Sequence, residues 1–160
     1  MPLRIGSGID VHPLVKGTSF VLAGITIKSE FGIEAHSDGD ILSHSICDAL
    51  LGALALGDIG EVFPSSNTDL EGISSLILLK KVMEMLQEHH ASIINVDATI
   101  MLQKPKLSPY IPSMRSNLSE ILKVDTSQIS VKATTTDKLG FIGKEEGIGA
   151  HCIVLLEIND

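Results

Sequence analysis

One predicted helix constrains the fold more than any other feature of the sequence. It runs from about Asp40 to Leu56 and is apolar on nearly every face, with aliphatic residues at Ile41, Leu42, Ile46, Ala49, Leu50, Leu51 and Leu54. Gly57 predicts its end, and Asp38 or Asp40 is suited to cap its first turn. Because a helix without a polar face is buried on most sides, we expect other elements to cover it.

The other segments show strand and helix patterns in alternation. The predicted ranges are 74–89 and 111–123 for helices, and 93–102, 129–133 and 148–158 for strands. At the N-terminus, Leu3 to Ile9 alternates like a strand that glycines loosen. Ala23-Gly24 predicts a hairpin turn, and residues 134–149 read as a polar, glycine-rich loop. This order predicts an α+β sandwich with a mixed or largely antiparallel sheet.

The composition limits the size of the fold and the class of partner. The chain has 160 residues, which suits one domain over residues 1–160. Asp and Glu number 20 against 12 Lys and Arg, a net charge of −8, and no long basic stripe occurs, which argues against a nucleic-acid partner. Phosphates must then be bound locally, by metals, backbone N–H groups or single lysines. Aromatic residues make up only 3% of the chain, so we expect an aliphatic core.

Apolar residues are abundant but nowhere form a membrane span. No stretch of 18 apolar residues occurs, and the strand pattern begins so early that no signal or transit peptide is expected. The mean hydropathy of +0.30 suggests that another subunit covers some apolar surface. Cys47 and Cys152 lie in apolar runs and are expected to be buried, reduced thiols. His89-His90 is expected at the surface, and His151 in the core or at a subunit contact.

Three residues far apart in the sequence indicate a metal site. Asp10 and His12 lie at i and i+2 of the first strand and share a face, although such a pair alone is more often a surface feature. His44 lies in the apolar helix, where it is either hydrogen-bonded in the core or bound to a ligand. Together they offer one oxygen and two nitrogens, which Zn²⁺ accepts with a fourth position free. Asp48, one turn after His44, is positioned to accept the spare imidazole N–H.

Two polar segments are candidates for phosphate binding. His36 to Asp40 is a glycine-bearing turn before the apolar helix, which either presents N–H groups to an anion or only caps the helix. Ala133 to Asp137 follows a strand and carries three threonines and a carboxylate. That segment either lines a phosphate and its Mg²⁺ or is an ordinary β-prone run. Lys104-Pro105-Lys106 is either a solvated loop or a further phosphate contact.

These motifs stand in the order of a known enzyme family. The blocks are Gly8-x-Asp10-x-His12, Ala35-His-Ser-Asp-Gly-Asp40, His44, Asp48-Ala-Leu-Leu-Gly-Ala53, Leu56-Gly-Asp-Ile-Gly60, Phe63-Pro64 and Lys132-Ala-Thr-Thr-Thr-Asp-Lys-Leu-Gly-Phe141. From Arg4 to Ile158 the chain closely resembles the 2-C-methyl-D-erythritol 2,4-cyclodiphosphate synthase family of the non-mevalonate isoprenoid pathway. The resemblance implies a mixed four- to five-stranded sheet with helices packed on one side, in a ferredoxin-like arrangement. It also implies a homotrimer with active sites between subunits.

The implied reaction is an intramolecular phosphoryl transfer catalysed by a phosphorus–oxygen lyase. The 2-phosphate of 4-diphosphocytidyl-2-C-methyl-D-erythritol 2-phosphate attacks the β-phosphorus, CMP leaves and the cyclic diphosphate forms. By the resemblance, Asp10, His12 and His44 bind Zn²⁺. Asp137 binds Mg²⁺ or Mn²⁺ together with the substrate diphosphate. His36 and Thr135 match positions that stabilise the transition state.

The resemblance also implies which residues contact the substrate. Residues 58–60 would bind the methylerythritol portion, and residues 102–108 would bind the cytidine largely through backbone groups. The full set of expected contacts is Asp10, Val11, His12, His36, Ser37, Asp58, Ile59, Gly60, Phe63, Pro64, Ser65, Ser66, Asn67, Leu102, Gln103, Lys104, Pro105, Lys106, Leu107, Ser108, Thr134, Thr135, Thr136, Asp137, Phe141 and Lys144.

One three-residue segment and two single positions depart from the family pattern. Ser65-Ser66-Asn67 replaces commonly acidic residues, and Lys144 stands where an arginine is frequent, which keeps the charge but loses the fork geometry. Ile9 replaces an aromatic residue that faces the trimer's central cavity, which argues against an isoprenoid diphosphate there. Two other functions stay open: a metal-dependent phosphoesterase with water as nucleophile, and a trimeric diphosphate-binding module. The expected location is the bacterial cytoplasm, or the plastid stroma if a presequence was removed.

Overall fold

A five-stranded mixed sheet with helices packed on it forms the body of the molecule in this computed structural model, which describes residues 2–159. The strands are β1 (Leu3–Lys16), β2 (Val21–Leu22), β3 (Ile25–Thr26), β4 (Phe31–Ile33), β5 (Ala91–Met101), β6 (Ile129–Thr134) and β7 (Gly147–Ile158). The helices are α1 (Ile41–Ala53), α2 (Ile59–Val62), α3 (Ser75–Glu88), α4 (Ile111–Leu122) and α5 (Gly140–Gly143), with 3-10 turns at Thr68–Leu70 and Thr126–Gln128.

The sheet runs in the order β4-β1-β7-β5-β6. Among the strands that the structure describes, β5 and β6 pair in parallel, through a crossover that contains α4, and the other neighbours in this sheet are antiparallel. β2 and β3 form a separate hairpin around Ala23-Gly24. The predicted mixed sheet with helices on one side is therefore confirmed, and so is the hairpin.

α1 lies at the centre of the core, as its apolar sequence predicts. It packs on β1, β7 and β5, and it also contacts α3. The aliphatic core around it includes Leu50 and Leu51, both fully buried. Cys47 and Cys152 are buried free thiols, as expected. None of the helices formed by residues 2–159 is long and apolar enough to cross a membrane.

Asp40 anchors α1 to the hairpin. Its side chain is fully buried and caps the helix by accepting a hydrogen bond from the backbone N–H of Ser43, at 3.0 Å. It also accepts from the Ser43 hydroxyl at 2.8 Å and from the backbone N–H groups of Ala23 and Gly24 at 2.9 and 3.1 Å. Burial raises the pKa of Asp40, and these donors work in the opposite direction. The carboxylate therefore joins the start of α1 to the turn of the β2-β3 hairpin.

Several boundaries differ from the sequence prediction. α1 ends at Ala53 rather than near Leu56, because Ala55 already adopts a left-handed backbone with φ of 58° and reverses the chain before Gly57. The sequence does not predict β4, α2, α5 or the 3-10 turns, since elements of three or four residues are too short to show a hydrophobic period. β7 starts at Gly147, so the predicted 134–149 loop is shorter than expected.

Candidate metal centre and substrate pocket

A glycine in β1 lets α1 lie directly on the strand. A Cβ atom placed on Gly8 would lie 1.9 Å from the backbone oxygen of Ser45, far inside van der Waals contact. Only a residue without a side chain permits this approach. His44, which precedes Ser45, is thereby brought against the part of β1 that carries Asp10 and His12. The position of the imidazole follows from backbone packing.

Asp10, His12 and His44 converge, as predicted from their sequence positions. One possible ligand atom from each lies within 4.8 Å of the other two. Asp10 Oδ1 is 3.1 Å from His12 Nε2, and Asp10 Oδ2 is 3.1 Å from His44 Nδ1. Burial alone would raise the pKa of Asp10, but the hydrogen bonds and positive charge of the two histidines outweigh it and lower the pKa. The hydrogen bond to Asp10 raises the pKa of His12.

The donor set fits a divalent cation. Nδ1 of His12 is 3.1 Å from the backbone oxygen of Glu34, which only accepts, so Nδ1 carries the imidazole proton. In the neutral ring, Nε2 then presents a lone pair towards Asp10. Two acceptors at 3.1 Å repel each other, and a cation between them removes that repulsion. One carboxylate oxygen and two imidazole nitrogens are ligands that Zn²⁺ accepts in catalytic sites.

Asp48 does not bind His44, and that prediction is wrong. Its Oδ1 accepts the backbone N–H of Ile59 at 2.7 Å and so anchors the start of α2. The second nitrogen of His44, Nε2, instead contacts Ser75 Oγ at 2.7 Å and Ser37 Oγ at 3.2 Å. With Nδ1 directed at β1, the imidazole turns Nε2 towards the N-terminus of α3 and away from Asp48. Burial raises the pKa of Asp48, against the effect of the Ile59 hydrogen bond.

A cavity of about 260 Å³ opens beside the three residues. It contains many of the predicted site residues and has an apolar wall that the sequence did not indicate. The predicted residues that line it are Asp10, His12, His36, Ser37, His44, Ile59, Gly60, Phe63 and Ser65, and the apolar additions include Leu70, Ile73 and Leu78. Polar groups therefore converge at one end of a partly apolar pocket, an arrangement typical of small-molecule sites.

A second cavity, of about 460 Å³, lies along the segment between β5 and α4. Its walls are residues 102–108, Ile111 and residues 133–135. The backbone N–H of Leu102 donates to the backbone oxygen of Thr134 at 2.9 Å, which holds the two segments together. Thr134 and Thr135 thus lie with the predicted cytidine segment. The two cavities have no lining residue in common.

The remaining predicted residues line neither cavity. Val11 is half exposed on the face of β1 opposite to Asp10 and His12, since successive strand residues point to opposite sides. Asp58 and Asn67 cap α2 and the first 3-10 turn by accepting backbone N–H groups at 2.9 and 3.1 Å. The others outside both cavities are Pro64, Ser66, Thr136, Asp137, Phe141 and Lys144.

Comparisons with known proteins identify the family of this chain. The family model of the YgbB family matches residues 3–157. The chain belongs to the YgbB family. A curated relative from Desulfitobacterium hafniense, named 2-C-methyl-D-erythritol 2,4-cyclodiphosphate synthase, is 54% identical over 96% of this chain and 98% of its own length. A relative of the same name from Syntrophomonas wolfei is 50% identical over 97% and 99%.

Solved structures of other YgbB-like chains have the same fold. The bifunctional IspDF from Campylobacter jejuni superposes with a TM-score of 0.95 at 42% identity, over 99% of this chain and 43% of that chain. The CDP complex of IspF from Plasmodium falciparum gives a TM-score of 0.86 at 37% identity, over 99% and 97%.

Sequence reasoning missed Ser75 in this YgbB chain. Ser75 is fully buried at the start of α3, and its hydroxyl lies between His44 and Asp38. The sequence predicts Asp38 as a helix cap or as part of a phosphate-binding turn. The capping prediction is correct for Asp40, whereas Asp38 accepts the backbone N–H of Ser75 at 2.8 Å. A carboxylate and a serine 37 residues apart leave no local pattern that could have linked them.

Proposed function

We propose that this chain converts 4-diphosphocytidyl-2-C-methyl-D-erythritol 2-phosphate to the 2,4-cyclodiphosphate with release of CMP. Family membership makes it a cyclodiphosphate-forming lyase of non-mevalonate isoprenoid biosynthesis. The observation that carries the proposal for this chain is the convergence of Asp10, His12 and His44 in the wall of a cavity of about 260 Å³. These three side chains would supply the metal ligands that the proposed chemistry needs.

The chemistry requires positioning and charge neutralisation more than proton transfer. The attacking 2-phosphate is already anionic, so no strong general base is needed. The barrier lies in bringing two anionic groups together in line and in stabilising the charge on the leaving phosphate. A divalent cation, when bound, neutralises and polarises phosphate oxygens. We propose that Asp10, His12 and His44 hold that cation, as Zn²⁺.

The protein's own groups are proposed to hold the substrate around that site. His36 and Ser37 line the same cavity and are proposed to donate to the phosphates, His36 to their transition-state charge. Asp58 to Gly60, with residues 63–67, would position the methylerythritol portion. α2 supports this assignment, because its N–H groups and the Asp58 carboxylate lie next to the cavity wall formed by Ile59 and Gly60.

The second cavity is proposed to bind the cytidine. Residues 102–108 surround it, and their backbone groups are proposed to recognise the base. Thr134 and Thr135 would contact the diphosphate, Thr135 stabilising the transition state. Thr136, Phe141 and Lys144 would complete this side, as would Val11 through its backbone. Asp137 is proposed to hold Mg²⁺ or Mn²⁺ that arrives with the substrate.

The assembly is proposed to be a homotrimer with each active site between subunits. Two features support this: one substrate has to reach two cavities that have no residue in common, and a large apolar surface remains exposed on β1. We further propose that residues 1–160 form one domain that acts in the cytoplasm. Nucleic acid is not a proposed partner, in line with the net charge of −8.

The test is turnover of the cytidyl substrate by the purified chain, followed by ³¹P NMR and by chromatography of CMP. Equal amounts of CMP and cyclic diphosphate are expected, and His44→Ala should abolish both. His89→Ala is the matched control, because His89 is exposed and its Nδ1 is hydrogen-bonded to the backbone oxygen of Met85 in the preceding helix, α3. CMP without ring closure would identify a phosphoesterase, and substrate binding without turnover would identify a binding module. Either result contradicts the proposal.

A further inference from the structure

A buried pair behind the metal centre connects His44 to a carboxylate outside the cavity. Ser75 is fully buried, and its Oγ is 2.7 Å from His44 Nε2. The same hydroxyl is hydrogen-bonded to Oδ1 of Asp38, whose Oδ2 accepts the backbone N–H of Ser75 at 2.8 Å. Neither Ser75 nor Asp38 lines the cavity, so neither is placed to touch a substrate.

The chemistry of its two partners decides in which direction the Ser75 hydroxyl donates its proton. A carboxylate accepts hydrogen bonds and does not donate them, whereas a hydroxyl donates one. Ser75 therefore donates to Asp38, and Oγ is left to accept from His44. For that contact the proton must be on Nε2. Because a neutral imidazole carries one N–H, Nδ1 of His44 is then unprotonated.

That assignment matters because Nδ1 is the nitrogen that faces Asp10, at 3.1 Å. In the other tautomer, Nδ1–H would donate to Asp10 and occupy the position where a cation binds. The two tautomers therefore differ in whether His44 is ready to ligate. Ser37 Oγ, at 3.2 Å from Nε2, makes a longer contact with the same nitrogen.

We propose that Ser75 and Asp38 are positioning residues that hold His44 in the Nε2–H tautomer and so keep Nδ1 free as a metal ligand. The inference rests on the metal site of the proposed function. Partners of this kind behind a ligating histidine typically change metal affinity by about 10- to 100-fold. The pair also fixes the orientation of the ring, because Ser75 is the first residue of α3 and is held by the helix.

The first test is Zn²⁺ affinity, measured on the metal-stripped full chain by competition with a chromophoric chelator. Ser75→Ala should weaken Zn²⁺ binding by about tenfold or more. Ser75→Thr, which restores the hydroxyl, should recover most of that loss. Ser74→Ala is the matched control at the preceding position, whose side chain makes no capping hydrogen bond, and it should bind like the unmodified chain. A Ser75→Ala affinity within about threefold of the unmodified chain would overturn the proposal.

The second test needs no variant and therefore holds even if Ser75→Ala fails to fold. Long-range ¹H–¹⁵N spectra of the metal-free chain at about pH 9, where imidazole is neutral, report which nitrogen of His44 carries the proton. We expect Nε2–H, and an Nδ1–H tautomer would refute the inference. Both measurements are independent of turnover. A chain that binds Zn²⁺ as described but forms no cyclic diphosphate would contradict the proposed function alone.

Discussion

Gly8→Ala should move His44, on α1, away from Asp10 and His12, on β1, in the candidate metal centre. The new Cβ would lie 1.9 Å from the backbone oxygen of Ser45 and 2.8 Å from the backbone nitrogen of Ala49. Real Cβ contacts essentially never fall below 3.0 Å, so α1 must move away from β1 by about 1.1 Å. Both contacting atoms belong to the backbone, which cannot rotate aside. The cost should therefore lie at the upper end of overpacking effects, about 3 kcal/mol.

The same movement displaces His44, which precedes Ser45 on α1, from Asp10 on β1. Metal sites tolerate ligand displacements of only about 0.2 Å, so Zn²⁺ affinity should fall by at least about a hundredfold. Urea unfolding, compared through its midpoint and slope, measures the loss of stability. Chelator competition on the folded fraction measures the loss of Zn²⁺ affinity.

Gly52→Ala is the matched control on the other side of the same contact. A Cβ on Gly52 would lie 3.8 Å from the backbone oxygen of Ser7, an ordinary contact. Alanine in a helix is favoured over glycine by about 0.5–1 kcal/mol, so this variant should be slightly stabilised, with unchanged Zn²⁺ affinity. If Gly8→Ala matched Gly52→Ala in stability, or bound Zn²⁺ like the unmodified chain, close packing of α1 on β1 would not position His44.

Three further predictions concern groups elsewhere in the core and site. Burial raises the pKa of Cys152 to about 12 and that of Cys47 well above its usual value. Iodoacetamide at about pH 8 should therefore label neither thiol until the chain is unfolded. Rapid labelling of the folded chain, seen by mass spectrometry, would contradict this prediction. Asp40→Ala should lower the free energy of unfolding in urea by about 3 kcal/mol or more, because it leaves buried hydrogen-bond donors without an acceptor. A loss below about 1 kcal/mol would contradict this prediction. Zn²⁺ affinity should reach its full value above the raised pKa of His12 and fall as the pH drops through that pKa, since protons compete for the imidazole. A flat chelator-competition profile between about pH 5 and 8 would refute this expectation.

The convergence of Asp10, His12 and His44 could be predicted from the sequence because its signals are local. Asp10 and His12 share a face through the period of a strand, and His44 is conspicuous in a helix that otherwise excludes polar groups. Each signal needs only a few neighbouring residues. The orientation of the imidazole was beyond reach, because the group that fixes it, Ser75, comes 31 residues later on a different helix. Helical spacing alone favoured Asp48, whose carboxylate instead holds the backbone of Ile59.

The alternation in β1 correctly predicts a strand, but which of its two faces is buried depends on the element that packs on it. Gly6 and Gly8 appear in sequence as weak points, whereas in the structure they are where the backbone of α1 lies closest. If the glycine face is inside, the isoleucines must face outwards, and Ile5 and Ile9 are 73% and 63% exposed. An apolar strand face of this kind needs cover, which supports the proposed homotrimer. One alternating pattern therefore brings His44 to its site and leaves an apolar surface exposed on β1.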